Sequence, residues 1–268
     1  MPSIIAWTIS SSIVLIAFSV WGLLMFYAYR STLETDARRR FAVASTASLL
    51  GWLVLAFVLG SAGVFQATPS RVFPALGLGI ALLILAGAWL LYRSSALNAV
   101  IAAIPLPWLV GVQLYRVVGF SFLVLYAVGR LPGEFAIPAG AGDVVVGLAA
   151  PVVGYLFYKG YRWSCLAVLS WNIAGILDMV VAVATGFLTS PGPFQALALE
   201  TPNELITAFP LVLVPLYAVP LSILLHLAAL KSLKAVWEVA SHKGLKCGDQ
   251  PLRWASHPAD PSPSTMGL

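Results

Sequence analysis

The sequence alternates long apolar runs with short polar or proline-bearing breaks. Inside hydrocarbon every backbone N–H and C=O has to be paired within its own segment, so an apolar run of about 20 residues reads as a membrane-crossing α-helix. Seven such runs occur, over residues 4–29, 41–65, 72–92, 107–128, 138–158, 163–187 and 205–230. Between the third and fourth, a short stretch is expected to lie along the membrane interface, and Pro105 and Pro107 fall at or just before the first turn of the fourth helix. The predicted fold class is all-α: a polytopic bundle of seven transmembrane helices over residues 1–233. A cytoplasmic tail follows over 234–268, largely disordered because it turns rich in Pro and Ser from Gly244 onward. Lys231 to His242 reads either as an amphipathic extension of the last helix or as its frayed end.

Seven crossings put the two termini on opposite sides, and the basic residues say which side is which. Twelve of the fifteen collect on one side, among them Arg30, Arg38, Arg39, Arg40, Arg93, Lys159, Arg162 and the lysines of the tail. Arg71 and Arg130 fall on the other side and Arg116 within a span. The excess of Lys and Arg on cytoplasmic loops predicts the N-terminus outside and the C-terminus in the cytoplasm. The first run is expected to remain as a helix, because Met1 to Trp7 lacks a basic residue and the run is too long for a signal peptide.

Composition narrows the picture further. The chain is 60% hydrophobic and 9% charged with a mean hydropathy of +0.93, against about 25% charge in soluble domains. The +5 charge and pI near 9.4 do not indicate nucleic acid, because the basic residues flank apolar spans in short loops. The expected partner is the lipid bilayer. Cys165 and Cys247 are too few for a disulfide framework, and neither has metal-ligand spacing, so no metal and no cofactor is expected.

The candidate chemistry lies in the last four helices, which carry Arg116, Asp143, Asp178, Asn172 and His226, whereas the first three contain no ionisable residue within their spans. A charge near the bilayer centre costs at least about 2.5–3.5 kcal/mol, so its retention requires a partner or a function. Asp143 shares a helical face with Ala139, Gly147, Ala150 and Gly154, a stripe of small residues that admits a close neighbour; Asp178 shares one with Trp171, Gly175 and Ala182. Gln113, Arg116 and Gly119 fall on one side of the fourth helix. Arg116 is expected between the two Asp, with Gln113 and Asn172 completing the hydrogen bonding. One Arg against two Asp leaves an excess negative charge that a proton or a cation has to offset. Pro210, Pro215 and Pro220 recur at five-residue spacing in the last helix and predict a kink that frees carbonyls, as a hinge or as a static bend. Ser222 and His226 lie beyond them as polar support near the cytoplasmic end. The loop from Thr189 to Glu204 reads as a plain connector or as a cap above the Asp pair.

Seven helices with the N-terminus outside are similar to the microbial rhodopsins, but the last helix lacks the central Lys that retinal needs. A bis-histidine haem site would need more than His226, and no Pro-Gln pair of the PQ-loop sugar transporters occurs. Gly140, Ala141, Gly142 and Asp143 match the GxGD motif of intramembrane aspartyl proteases, and Pro74, Ala75 and Leu76 spell that family's PAL motif. The order is reversed, however: PAL comes first here and the lone Asp178 last. The segments LPGEFAIPAGAGDVVVGLAAP, WNIAGILDMVVAVATGFLTSPGPFQ and PNELITAFPLVLVPLYAVPLSILLHLAAL resemble a widespread group of uncharacterised bacterial multi-pass inner-membrane proteins. That resemblance implies a bacterial inner-membrane location and carries no activity.

The leading expectation is a proton-coupled transporter of a small polar solute and not an enzyme. Asp143 or Asp178 would carry the proton, Arg116 would hold the partner carboxylate or an anionic substrate, and the proline-broken helix would gate. A non-transporting structural, assembly or sensory component, and a membrane enzyme using the two Asp, are the alternatives.

Overall fold

The structure, a computed structural model, describes residues 3–68 and 75–242. Its helices are α1 (Ser3–Arg30), α2 (Thr35–Ser61), α3 (Ala75–Arg93), α4 (Ser95–Ala103), α5 (Leu106–Gly111), α6 (Phe120–Ala127), α7 (Gly133–Tyr158), α8 (Ser164–Thr189) and α9 (Val219–His242). A 3-10 segment, Val112–Gly119, joins α5 to α6, and a π segment, Val214–Ala218, leads into α9. No strand occurs among the described residues. Seven spans, with α5 to α6 and the π segment to α9 each counted as one, are long and apolar enough to cross a membrane. Their outer faces carry Leu15, Val54, Leu85, Val145, Leu166 and Leu177, each more than half exposed. Such a continuous apolar surface suits lipid and not water.

Three boundaries differ from the sequence reading, and each difference matters for the site. The fifth span starts at Gly133, ahead of Pro138, and keeps both Pro138 and Pro151 within it. Asp143 therefore lies ten residues, about 15 Å, into its helix instead of near its end. The fourth span is not a uniform α-helix: with three residues per turn, its 3-10 centre stacks Gln113, Arg116 and Gly119 along one buried edge. The seventh begins at Val214 and not at Leu205, with a 3-10 turn at Leu205–Thr207 ahead of it. Pro210 thus stands outside the helix, and α9 runs on to His242, so residues 234–242, placed in the tail by the domain boundary, continue the helix as the extension reading of Lys231 to His242 has it. The expected disorder of the remaining tail falls on residues outside the described ones.

The break in the last span follows from proline chemistry. Pro220 has no N–H to give the Leu216 carbonyl four residues earlier, and the Val219 N–H turns instead to the Val214 carbonyl five residues back. The orphaned Leu216 oxygen accepts the Trp52 indole N–H of α2 at 2.9 Å, and the Trp52 ring packs on Tyr217 at 4.5 Å.

The segment between the third and fourth spans forms a short helix, α4, that packs against the bundle. α4 is capped by Ser94, whose side chain accepts the Leu97 N–H, and buries Val100 and Ile101. Lys231 of α9 donates to Asn98 Oδ1 at 2.6 Å and to the Leu91 carbonyl at 2.9 Å, so one ammonium closes the end of α3 and holds α4 in place. Cys165 is buried in the core beside Val168 and Ala229, and Cys247 lies outside the described residues.

Two apolar cores bracket the bundle's polar middle. One, around Leu106, Leu109, Ala150, Val168, Ala229 and Leu233, fills the end where α9 finishes. The other, around Ile9, Phe122, Leu125, Phe135, Ala136 and Leu211, fills the end where the chain begins.

Candidate functional site

Between those cores the guanidinium of Arg116 reaches three helices. Its Nε donates to Asp143 Oδ1 of α7 at 2.9 Å, Nη2 donates to Asp178 Oδ2 of α8, and Nη1 lies 3.1 Å from His226 Nε2 of α9 and 3.4 Å from the Gly175 carbonyl. Arg116 is 3% exposed and Asp143 8%. The contact with Asp178 completes the expected arrangement of one Arg between two Asp.

His226 belongs to this cluster and is not remote support at a helix end. Because an arginine only donates, Nε2 has to accept, which places the imidazole proton on Nδ1. Nδ1 lies 2.9 Å from Asn172 Oδ1, and the Asn172 amide donates in turn to the Val168 carbonyl at 2.8 Å. The chain of donors from Arg116 to His226 to Asn172 to the α8 backbone is thereby consistent at each link. Trp171 packs on the His226 ring at 4.8 Å and donates to the Val146 carbonyl at 3.0 Å, fixing the ring between α7 and α9.

Ser222 does not touch the cluster directly; its hydroxyl pairs with Tyr115 at 2.8 Å. Gln113 departs from expectation. It is fully buried, and neither atom of its amide has a hydrogen-bond partner, so it completes no network with Asn172. It lies one turn before Arg116 on the buried edge of the 3-10 segment. Pro215 is the second residue of the π segment and Pro220 the second of α9, and Pro210 belongs to neither.

Three glycines make the room for this chemistry. A Cβ on Gly119 would run into Asp143, one on Gly142 into Asp178, and one on Gly175 into the His226 ring and to within 3.1 Å of Arg116 Nη1. The polar groups occupy volume that any side chain on the facing helix would take. Gly147 acts one turn further along, where a Cβ would lie 2.9 Å from the Val117 nitrogen.

Asp143 also faces open space. It lines a cavity of about 550 Å³ bounded by α3, α7, α8 and the π segment, with the Ser190 to Gln195 part of the long loop at its rim. A second pocket, about 30 Å³ and large enough for water, lies between Tyr115, Arg116, Ser121, Asp143 and Ser222. Asp143 is the ionisable residue that the two share. Among the described residues no group of three or more His, Cys, Asp or Glu is placed to hold a metal.

An all-helical bundle with seven membrane-competent spans and a buried Arg116 cluster fits a multi-pass membrane protein. Residues 72–234, more than half of the chain, match the family described as a domain of unknown function, DUF8737, and the chain belongs to that family. The matched segment holds Arg116, Asp143, Asn172, Asp178 and His226. No curated protein and no solved structure matches the chain.

Proposed function

We propose that this protein is a proton-coupled carrier for a small solute, working at the Arg116, Asp143 and Asp178 cluster in the inner membrane of a bacterium. The observation that supports the reading most directly is the position of Asp143, which lines both an open cavity and a water-sized pocket. The cluster holds one guanidinium and two carboxylates. In a medium of low dielectric the remaining negative charge has to be neutralised, and a proton or a bound cation does so in turn. The N-terminal face, where the cavity opens, is the side that the basic residues predict to be outside. Movement at the π segment, Val214–Ala218, would change the cavity wall to which Val214, Pro215 and Val219 contribute.

The glycine packing favours a second reading, in which the cluster is a structural lock that fixes the register of α7, α8 and α9. The two are separated by reconstituting the full chain in liposomes that contain a pH-sensitive dye and adding small solutes under an imposed pH gradient. Solute-dependent proton movement that Asp143→Asn abolishes, in a variant that still inserts and remains monodisperse, supports the carrier. Absence of coupled movement for every solute class leaves the lock.

A further inference from the structure

The lining of the large cavity is more specific than its size. At about 550 Å³ it suits a small organic molecule. Among the described residues that line it, Asp143 alone carries a charge, and five phenylalanines, Phe65, Phe122, Phe135, Phe187 and Phe194, contribute rings to the wall. The polar side chains, Gln66, Ser190, Gln195 and Thr207, sit at or beyond helix ends. Asp143 uses Oδ1 for Arg116, and Oδ2 takes no protein donor among the described residues.

These features ask for a ligand of opposite charge on an apolar body. A cation beside Asp143 offsets the charge that Arg116 leaves uncompensated. Aromatic faces attract the same cation through their quadrupoles, and the remaining apolar wall gains by burying hydrocarbon. An anion meets repulsion, and a neutral acyl chain satisfies the wall but leaves the charge unmatched.

We propose that the cavity is a binding site for a lipophilic organic cation whose positive centre pairs with Asp143. This rests on the carrier reading for the use of the site, and on the lining alone for the ligand class.

The test uses the full chain in nanodiscs, with tetraphenylphosphonium as the cation and triphenylphosphine oxide as a neutral aromatic comparator. Saturable cation binding at least about tenfold tighter than the comparator, a difference of about 1.4 kcal/mol, is the expected result. Asp143→Asn should remove that preference, and Val183→Trp, which fills the cavity away from Arg116, should weaken both ligands. Equal binding of the two compounds, no saturable binding of the cation, or cation binding unchanged by Val183→Trp would overturn the assignment. If Asp143→Asn does not assemble, the wild-type comparison and Val183→Trp still decide. Cation binding without solute-driven proton movement sinks the carrier reading alone; coupled flux without cation binding sinks the ligand class alone.

Discussion

Arg116 Nη1 points at His226 Nε2 across 3.1 Å, and this one contact fixes the imidazole as an acceptor toward arginine and a donor toward Asn172. Nitrogen-15 spectra of histidine-labelled protein are expected to show the tautomer with its proton on Nδ1. His226→Ala should lower stability by about 2–4 kcal/mol, since it strands a charged donor and a buried amide oxygen together. Thermal unfolding in detergent measures the loss, and a tautomer with the proton on Nε2 would contradict the assignment.

Removing Arg116 alone is expected to be worse than removing the whole ion cluster. Arg116→Met leaves two carboxylates in the bundle and should cost about 3–5 kcal/mol, whereas Arg116→Met combined with Asp143→Asn and Asp178→Asn leaves no uncompensated charge. The triple variant should therefore give more monodisperse protein by fluorescence-detected size exclusion than the single one. The reverse order would mean that the carboxylates do not depend on the arginine.

How much of this was legible beforehand depended on how sharply each residue contrasted with its surroundings. Arg116, Asp143 and Asp178 stood out because lipid tolerates so few charges, and the small-residue stripe beside Asp143 indicated a close helix. The sequence alone places His226 at the wrong depth: a last span starting at Leu205 puts it near one end, while the break around Pro215 and Pro220 and the extension to His242 set it level with Arg116. Gln113 was polar and on the correct face, but residue type alone does not reveal whether a partner lies opposite. Tyr115 adjoins Arg116, but in sequence nothing sets it apart from the other aromatic residues of the spans. The cavity was invisible for a different reason, since wall residues such as Val180 and Val183 look the same in sequence as residues that face lipid.

Alanine at Gly119, Gly142 or Gly175 is expected to destabilise the bundle by about 1–3 kcal/mol, the usual cost of overpacking, through displacement of Asp143, Asp178 or His226. Gly22 and Gly51 are the controls, because a Cβ at either meets nothing within 4 Å. Thermal unfolding of the five variants should divide them into these two groups, and similar losses across all five would remove the special standing of the first three.

Trp52→Phe keeps the packing against Tyr217 but takes away the donor to the Leu216 carbonyl. An unpaired buried carbonyl costs about 1–3 kcal/mol. Pro220→Ala restores an N–H four residues from Leu216 and should recover much of that loss in the double variant. A double-mutant cycle on unfolding midpoints checks the coupling, and simple additivity would show that Trp52 and Pro220 do not share the carbonyl.

Trp52 precedes residue 72, where the family match begins, while Leu216 falls inside it. The first two helices therefore serve as a splint from outside the matched segment, holding a weak point in the helix that carries His226. A chain reduced to residues 72–234 would have to supply another donor to Leu216, and its last helix would be free to settle at a different bend, shifting His226 relative to Arg116.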